Sequence, residues 1–196
     1  MWHTQIGARP FAAVVLLSAL GFAGVASSAD AAPDFRDEWG RAIQLDDFRG
    51  RLIVATMAYT NCRRACPATV ATLKQLERMV AASGRTVEFV IVGYDPQNDD
   101  PRAWRDYRAN HGITGDHWQF LTGTAASTLR FSHRFGFPFW RVDEHVMHMQ
   151  RLVVLDQKGN FVGSDDQLSL THVLALLQKA EGVGLPSTAI KEVAGT

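Results

Sequence analysis

The chain has 196 residues, 20 basic and 20 acidic, for a formal net charge of zero. That length suits one domain with a sizeable core once any leader is set aside. The balanced charge, with no long run of one sign, argues against nucleic acid or an anionic membrane surface as the main partner.

The N-terminus has the order of a secretory signal: Arg9, an apolar stretch over Phe11–Ala26, then small residues with Ala29 and Ala31 as cleavage positions. The stretch is shorter than a usual membrane span and contains Gly21 and Gly24, so an uncleaved anchor is the weaker reading. Residues 1–31 are therefore read as signal peptide or anchor, 32–182 as the folded domain and 183–196 as a loose tail. The domain is expected outside the cytoplasm, in a bacterial periplasm, where thiols oxidise unless a reductase or a metal prevents it.

Phe35–Gly50 reads as a short strand pair or loop, broken at Gly40 and Gly50. Arg51–Tyr59 is a mostly apolar run of strand length, as for a strand buried on both faces. From Cys66 onward Val70, Leu73, Leu76 and Val80 recur at helical spacing, Pro67 suits the first turn and Gly84 ends the helix. Thr86–Tyr94 is a second buried strand. A helix over Arg102–Gly112, a short strand over His117–Gly123 and a helix over Thr124–Gly136 follow. Met149–Asp156 reads as a strand, turned by Gln157–Asn160 into a returning strand from Phe161, and Leu168–Gly182 closes the domain as a helix. This order predicts an α/β fold: a mixed sheet with helices on both faces. Cysteines at the first strand–helix junction point to its thioredoxin-like version, although a flavodoxin-like order would accommodate much of the pattern.

The only two cysteines, Cys62 and Cys66, are separated by three residues. A staple closing so short a loop would contribute only about 2 kcal/mol, and a domain this apolar hardly requires it. Cys66 opens a helix, where free N–H groups and the helix dipole favour a thiolate, and Arg63 and Arg64 add positive charge if they face the site. Two thiolates suit Cu(I), with a third ligand from elsewhere; a neutral imidazole would complete a site for Cu(I) or Cu(II). A structural zinc site needs four protein ligands, and no second cysteine pair exists.

Of the seven histidines, His3 is in the leader, and His111, His117, His133 and His172 read as ordinary surface or partly buried residues. His145 and His148 share a predicted loop before the Met149 strand, with His148 closer to it. Met147 and Met149 flank His148, and thioether sulfur also suits Cu(I). The alternative is that Val146–Met149 is apolar packing around a satisfied histidine.

Taken together, these residues resemble the Sco/SenC family of copper-binding thioredoxin-fold proteins, from about Phe48 to about Ala180. Tyr59–Pro67 is similar to its Cys-x-x-x-Cys-Pro loop. Val92–Pro101 is similar to its Val-Asp-Pro segment with a downstream Asp-x-Pro. Phe120–Gly123 falls in the expected place, and His148–Val162 looks like the segment carrying the histidine ligand, an apolar strand and an Asp-x-x-Gly hairpin. The resemblance implies copper bound by Cys62, Cys66 and His148, Asp95 as a supporting acid, and delivery to the binuclear copper centre of cytochrome c oxidase or to another copper enzyme. It also implies Cys62 and Cys66 as a redox pair that reduces the target's cysteines; because the compartment is oxidising, a thiol reductase is expected as a further partner. Two positions depart from the family pattern: Arg63 stands for the usual proline after the first cysteine, and Met147 for the usual acid before the histidine.

The competing readings are a thiol–disulfide oxidoreductase or peroxidase of thioredoxin type, and a binding module whose thiols are incidental. Oxidoreductases of that fold typically carry two residues between their cysteines and a cis-proline before the strand that here begins at Met149. Here that place is taken by His148, and Pro138 is well upstream.

Overall fold

The structure, a computed structural model, describes residues 34–62, 66–143 and 145–182, with Cys66 and Pro67 described by backbone alone. The leader, the tail, Arg63 and Arg64 lie outside the described residues. In chain order come β1 (Phe35–Asp37), β2 (Ala42–Ile43), a 3-10 turn, β3 (Leu52–Ala58), α1 (Cys66–Ala82), β4 (Val87–Gly93), α2 (Pro101–Asn110) and β5 (Trp118–Gly123). Then follow α3 (Ala125–Phe135), β6 (Phe139–Val142), β7 (His145–His148), β8 (Leu152–Leu155), β9 (Phe161–Asp165) and α4 (Leu170–Ala180).

Seven strands form one sheet in the order β2-β1-β5-β4-β3-β8-β9. The β3–β4 and β4–β5 pairs are parallel; β8 joins β3 antiparallel and carries β9. Both β3 and β4 are buried along their whole length, which is why their sequences are apolar runs rather than alternations.

The sheet's two faces are told apart by parity. Leu52 and Val54 of β3 with Phe89 and Ile91 of β4 pack under α1, α2 and α4, through residues such as Leu73, Leu76, Trp104 and Leu177. Ile53, Ala55 and Met57 with Val90 and Val92 face Phe131 and Phe135 of α3, together with Val146 of β7. Helices thus cover both faces of a mixed sheet, as the thioredoxin-like reading expected.

Two elements differ from the sequence reading. The strand expected over Met149–Asp156 narrows to β8, because Met149 is exposed and Arg151 turns to a paired hydrogen bond with Asp166, 2.7 and 2.8 Å. The predicted loop that holds His145 and His148 is instead an antiparallel hairpin, β6–β7, forming a separate two-stranded sheet.

Candidate metal centre

At the end of β3 the main chain leaves the sheet through a tight turn in which the Cys62 N–H donates to the Tyr59 carbonyl at 3.0 Å. Cys62 is 9% exposed and belongs to the cluster beneath α1. Cys66 is the first residue of α1, so its main chain sits where helix N–H groups and dipole favour a thiolate. The side chain of Cys66 lies outside the described residues.

The loop before Cys62 is anchored by Asp99, the acid of the Asp-x-Pro segment, to which the sequence reading gave no role. Asp99 is fully buried, and its Oδ1 accepts from the Thr60 N–H at 2.7 Å and the Thr60 hydroxyl at 2.9 Å. Its Oδ2 accepts from the Asp95 N–H at 2.9 Å, and the Thr122 hydroxyl donates to its carbonyl. A Cβ on Gly93 would stand 2.9 Å from Asp99 Oδ2, so the strand end needs glycine to admit this acid. Burial pushes the Asp99 carboxyl up to about 6, against the lowering effect of the Thr60 and Asp95 donors. The signal was present in Asp99–Asp100–Pro101: helix capping uses only Asp100, which accepts from the Ala103 N–H at 2.7 Å and leaves the other acid unexplained.

Asp95, expected to support the site, does so through the hairpin. Its Oδ1 accepts from Arg141 of β6 at 3.1 Å and its Oδ2 from Asn98 at 2.8 Å. Burial alone would raise its pKa, but the hydrogen bonds from Asn98 and Arg141 outweigh it and hold the carboxyl below its ordinary value.

In the hairpin, Phe139 lies opposite His148, Arg141 opposite Val146, Trp140 opposite Met147 and Val142 opposite His145. Opposed residues share a face and neighbours alternate. Buried Val146 therefore marks the inner face, which also holds Phe139, Arg141 and half-buried His148, while His145 and Met147 are on the outer one.

The His148 ring stacks on Tyr94 at 4.7 Å between centroids and meets Tyr59 edge-on at 5.8 Å. Tyr59 is thus the common neighbour of His148 and of the Cys62 turn. Gln150, two residues on, reaches Thr69 in the first turn of α1 at 3.5 Å. The His148 Nδ1 lies 3.3 Å from the Met149 carbonyl, which can only accept. That contact puts the proton on Nδ1 and leaves Nε2 as the lone pair available to a metal.

Three of the other histidines are occupied elsewhere. His117 pairs with Glu77 at 2.6 Å, His172 with Asp165 at 2.8 Å, and the His111 Nδ1 meets the Tyr107 carbonyl at 2.9 Å. His133 is exposed in the last turn of α3, and His3 lies outside the described residues. Among the described residues no three His, Cys, Asp or Glu side chains converge on one point. Of the three expected ligands, Cys62 and His148 share Tyr59 as a neighbour at this end of the sheet, and Cys66 is placed by its backbone alone as the first residue of α1.

Known proteins resemble this chain in sequence and fold. A family model described as SCO1/SenC matches residues 26–179. An SCO1 protein homolog from Bacillus subtilis (strain 168) is 30% identical over 95 residues, 48% of this chain and 49% of that protein. The curated relatives the chain matches are covered over 49% and 64% of their own lengths. Among solved structures the fold is similar to BsSco, described as a member of the Sco family of cytochrome c oxidase assembly proteins in work on a disulfide switch. That match has a TM-score of 0.67 and 21% identity over 76% of this chain and 91% of the other. It is similar also to Arabidopsis thaliana ScoI with copper bound, with a TM-score of 0.67 and 16% identity over 76% of this chain and 96% of the other.

Proposed function

The chain belongs to the SCO1/SenC family, and on that premise we propose that it binds copper as cargo through Cys62, Cys66 and His148 and serves assembly of the copper centre of cytochrome c oxidase. The compartment proposed is the periplasm, on the strength of the leader over residues 1–31. Two thiolates and one imidazole make a soft set that accepts Cu(I) and tolerates Cu(II). Copper bound to Arabidopsis thaliana ScoI supports the choice of metal.

The observation that carries the reading is the placement of His148. Its ring is clamped by Tyr94 and Tyr59, its Nδ1 is taken by a carbonyl, and its neighbour Tyr59 closes the Cys62 turn. A ligand held in this way needs little reorganisation on binding. An oxidised Cys62–Cys66 pair cannot ligate, so thiol–disulfide exchange with a reductase partner would gate loading.

The test compares the two histidines of the hairpin. His148→Ala is expected to abolish the sulfur-to-copper charge-transfer absorption of the Cu(II) form and to weaken Cu(I) binding less, since two thiolates retain the softer ion. His145→Ala should leave that spectrum unchanged. The disulfide form should show no such band at all. Swapped phenotypes would sink the assigned register, and an unchanged spectrum in both variants would sink the three-ligand site.

A further inference from the structure

The outer face of the β6–β7 hairpin has the wrong composition for a strand face turned to solvent. Such faces are ordinarily polar. Here Trp140 is 53% exposed and Val142 48%, and Met147, opposite Trp140, is 45% exposed. His145 is exposed on the same face, opposite Val142, and Met149, one residue past the end of β7, is 53% exposed. Methionine is normally among the buried residues. Three soft or borderline donors thus lie at alternate positions, 145, 147 and 149, outside the core.

The spacing suits chelation. Residues two apart on a strand are separated by roughly 6.6 Å and point to the same side, so an imidazole and a thioether on long side chains can meet at one ion between them. Directly opposed residues have Cβ atoms roughly 5 Å apart, so the Trp140 indole is within reach of an ion held by the Met147 thioether, where its π face can attract a cation. All these donors are neutral. Thioether and imidazole without carboxylate or thiolate favour a soft monovalent ion over zinc, magnesium or calcium.

We propose that the outer face of the hairpin is a second Cu(I) site, formed by His145 and Met147 with Met149 as an additional donor and Trp140 packed against the ion. It rests on the copper reading only for which soft ion the protein meets; the donors are independent of Cys62, Cys66 and His148. The strand itself separates the two sites, with His148 facing in and His145 and Met147 facing out. Because the outer donors do not form a disulfide, this site accepts Cu(I) in both redox states of the cysteine pair. With neutral donors it holds the ion less tightly than two thiolates do, as suits a surface station that passes copper on.

The experiment uses Ag(I), a soft monovalent probe with no redox chemistry of its own here. Full-length Cys62→Ser/Cys66→Ser protein is titrated while silver stoichiometry and tryptophan fluorescence are followed. One Ag(I) is expected to bind with quenching. Met147→Leu in that background should weaken binding by more than about tenfold and remove the quench. Trp140→Phe should remove the fluorescence response while one ion still binds. If the double serine variant does not fold, the same reading comes from reduced protein with its cysteines intact, where Met147→Leu should lower the stoichiometry from two silver ions to one. The proposal is overturned if the cysteine-free protein binds no silver, or if Met147→Leu leaves affinity and stoichiometry unchanged. Loss of the cysteine site alone would leave these outcomes untouched, so the two readings fail separately.

Discussion

Asp99 shows how one side chain sets the geometry of a loop at a cost in stability. It holds Thr60, two residues before Cys62, by main chain and hydroxyl together, and room for it exists because position 93 has no Cβ. Burial raises its carboxyl to about 6, whereas an unfolded aspartate titrates near its ordinary value of 3.8. A raised folded pKa means that the native state holds the proton more tightly. The stabilising contribution of protonation is therefore full below the unfolded value and lost as pH rises through about 6. A shift of this size corresponds to about 3 kcal/mol. Urea unfolding of wild type and Asp99→Asn at several pH values isolates it, since other titrating groups cancel in the difference. Between about pH 4 and pH 7 the difference should move toward the variant by up to about 3 kcal/mol. Parallel pH profiles would show that Asp99 does not titrate in this range. Gly93→Ala should loosen the same loop by driving a methyl into Asp99.

At the scale of elements, the parts that were legible in the sequence are those whose burial is unambiguous. The apolar runs of β3 and β4 and the helical spacing of Val70, Leu73, Leu76 and Val80 in α1 leave one physical solution each. The β6–β7 hairpin left no such trace. Its strands have four residues each, only Val146 is fully buried among them, and the turn carries Asp143 at a φ of 52° rather than an Asn-Gly or Asp-Gly pair. The sequence reading preferred His148 to His145 for its closeness to the following strand; in the structure strand alternation separates the two, turning His148 inward and His145 outward. The hairpin's inner face is tied to the sheet by Arg141 and Asp95, next to Tyr94 on which His148 stacks. Arg141→Ala should cost stability little, about 1 kcal/mol or less, because the guanidinium is half exposed and water screens the pair. Its effect on the metal should be larger, since the clamp on His148 loosens. Cu(II) affinity is expected to fall by about tenfold with Tm nearly unchanged. Equal affinities in wild type and variant would separate the hairpin's anchoring from the site.

For the whole molecule, the question is whether the site holds the fold together or the fold holds the site. The central strands are covered on one face by α1, α2 and α4 and on the other by α3 and the hairpin, each through large side chains with almost no exposure. Cys62 belongs to the first cluster but lies at its edge, where β3 has already ended. Replacing its sulfur by a hydroxyl changes volume slightly and leaves a polar atom in a mostly apolar setting, which costs about 1–3 kcal/mol. By contrast Phe89→Ala would remove a fully buried ring that stacks on Trp118 at 4.8 Å, at a cost of about 3–5 kcal/mol. The core therefore predicts an order of severity opposite to that of a stapled or metal-nucleated domain. Cys62→Ser, followed by thermal unfolding without metal, should keep one cooperative transition a few degrees below wild type while losing its share of copper binding. Phe89→Ala should lower Tm further, and whatever protein remains folded should still bind. A Cys62→Ser protein without a cooperative transition would mean that the short Cys62–Cys66 link, and not the two clusters, holds the domain together.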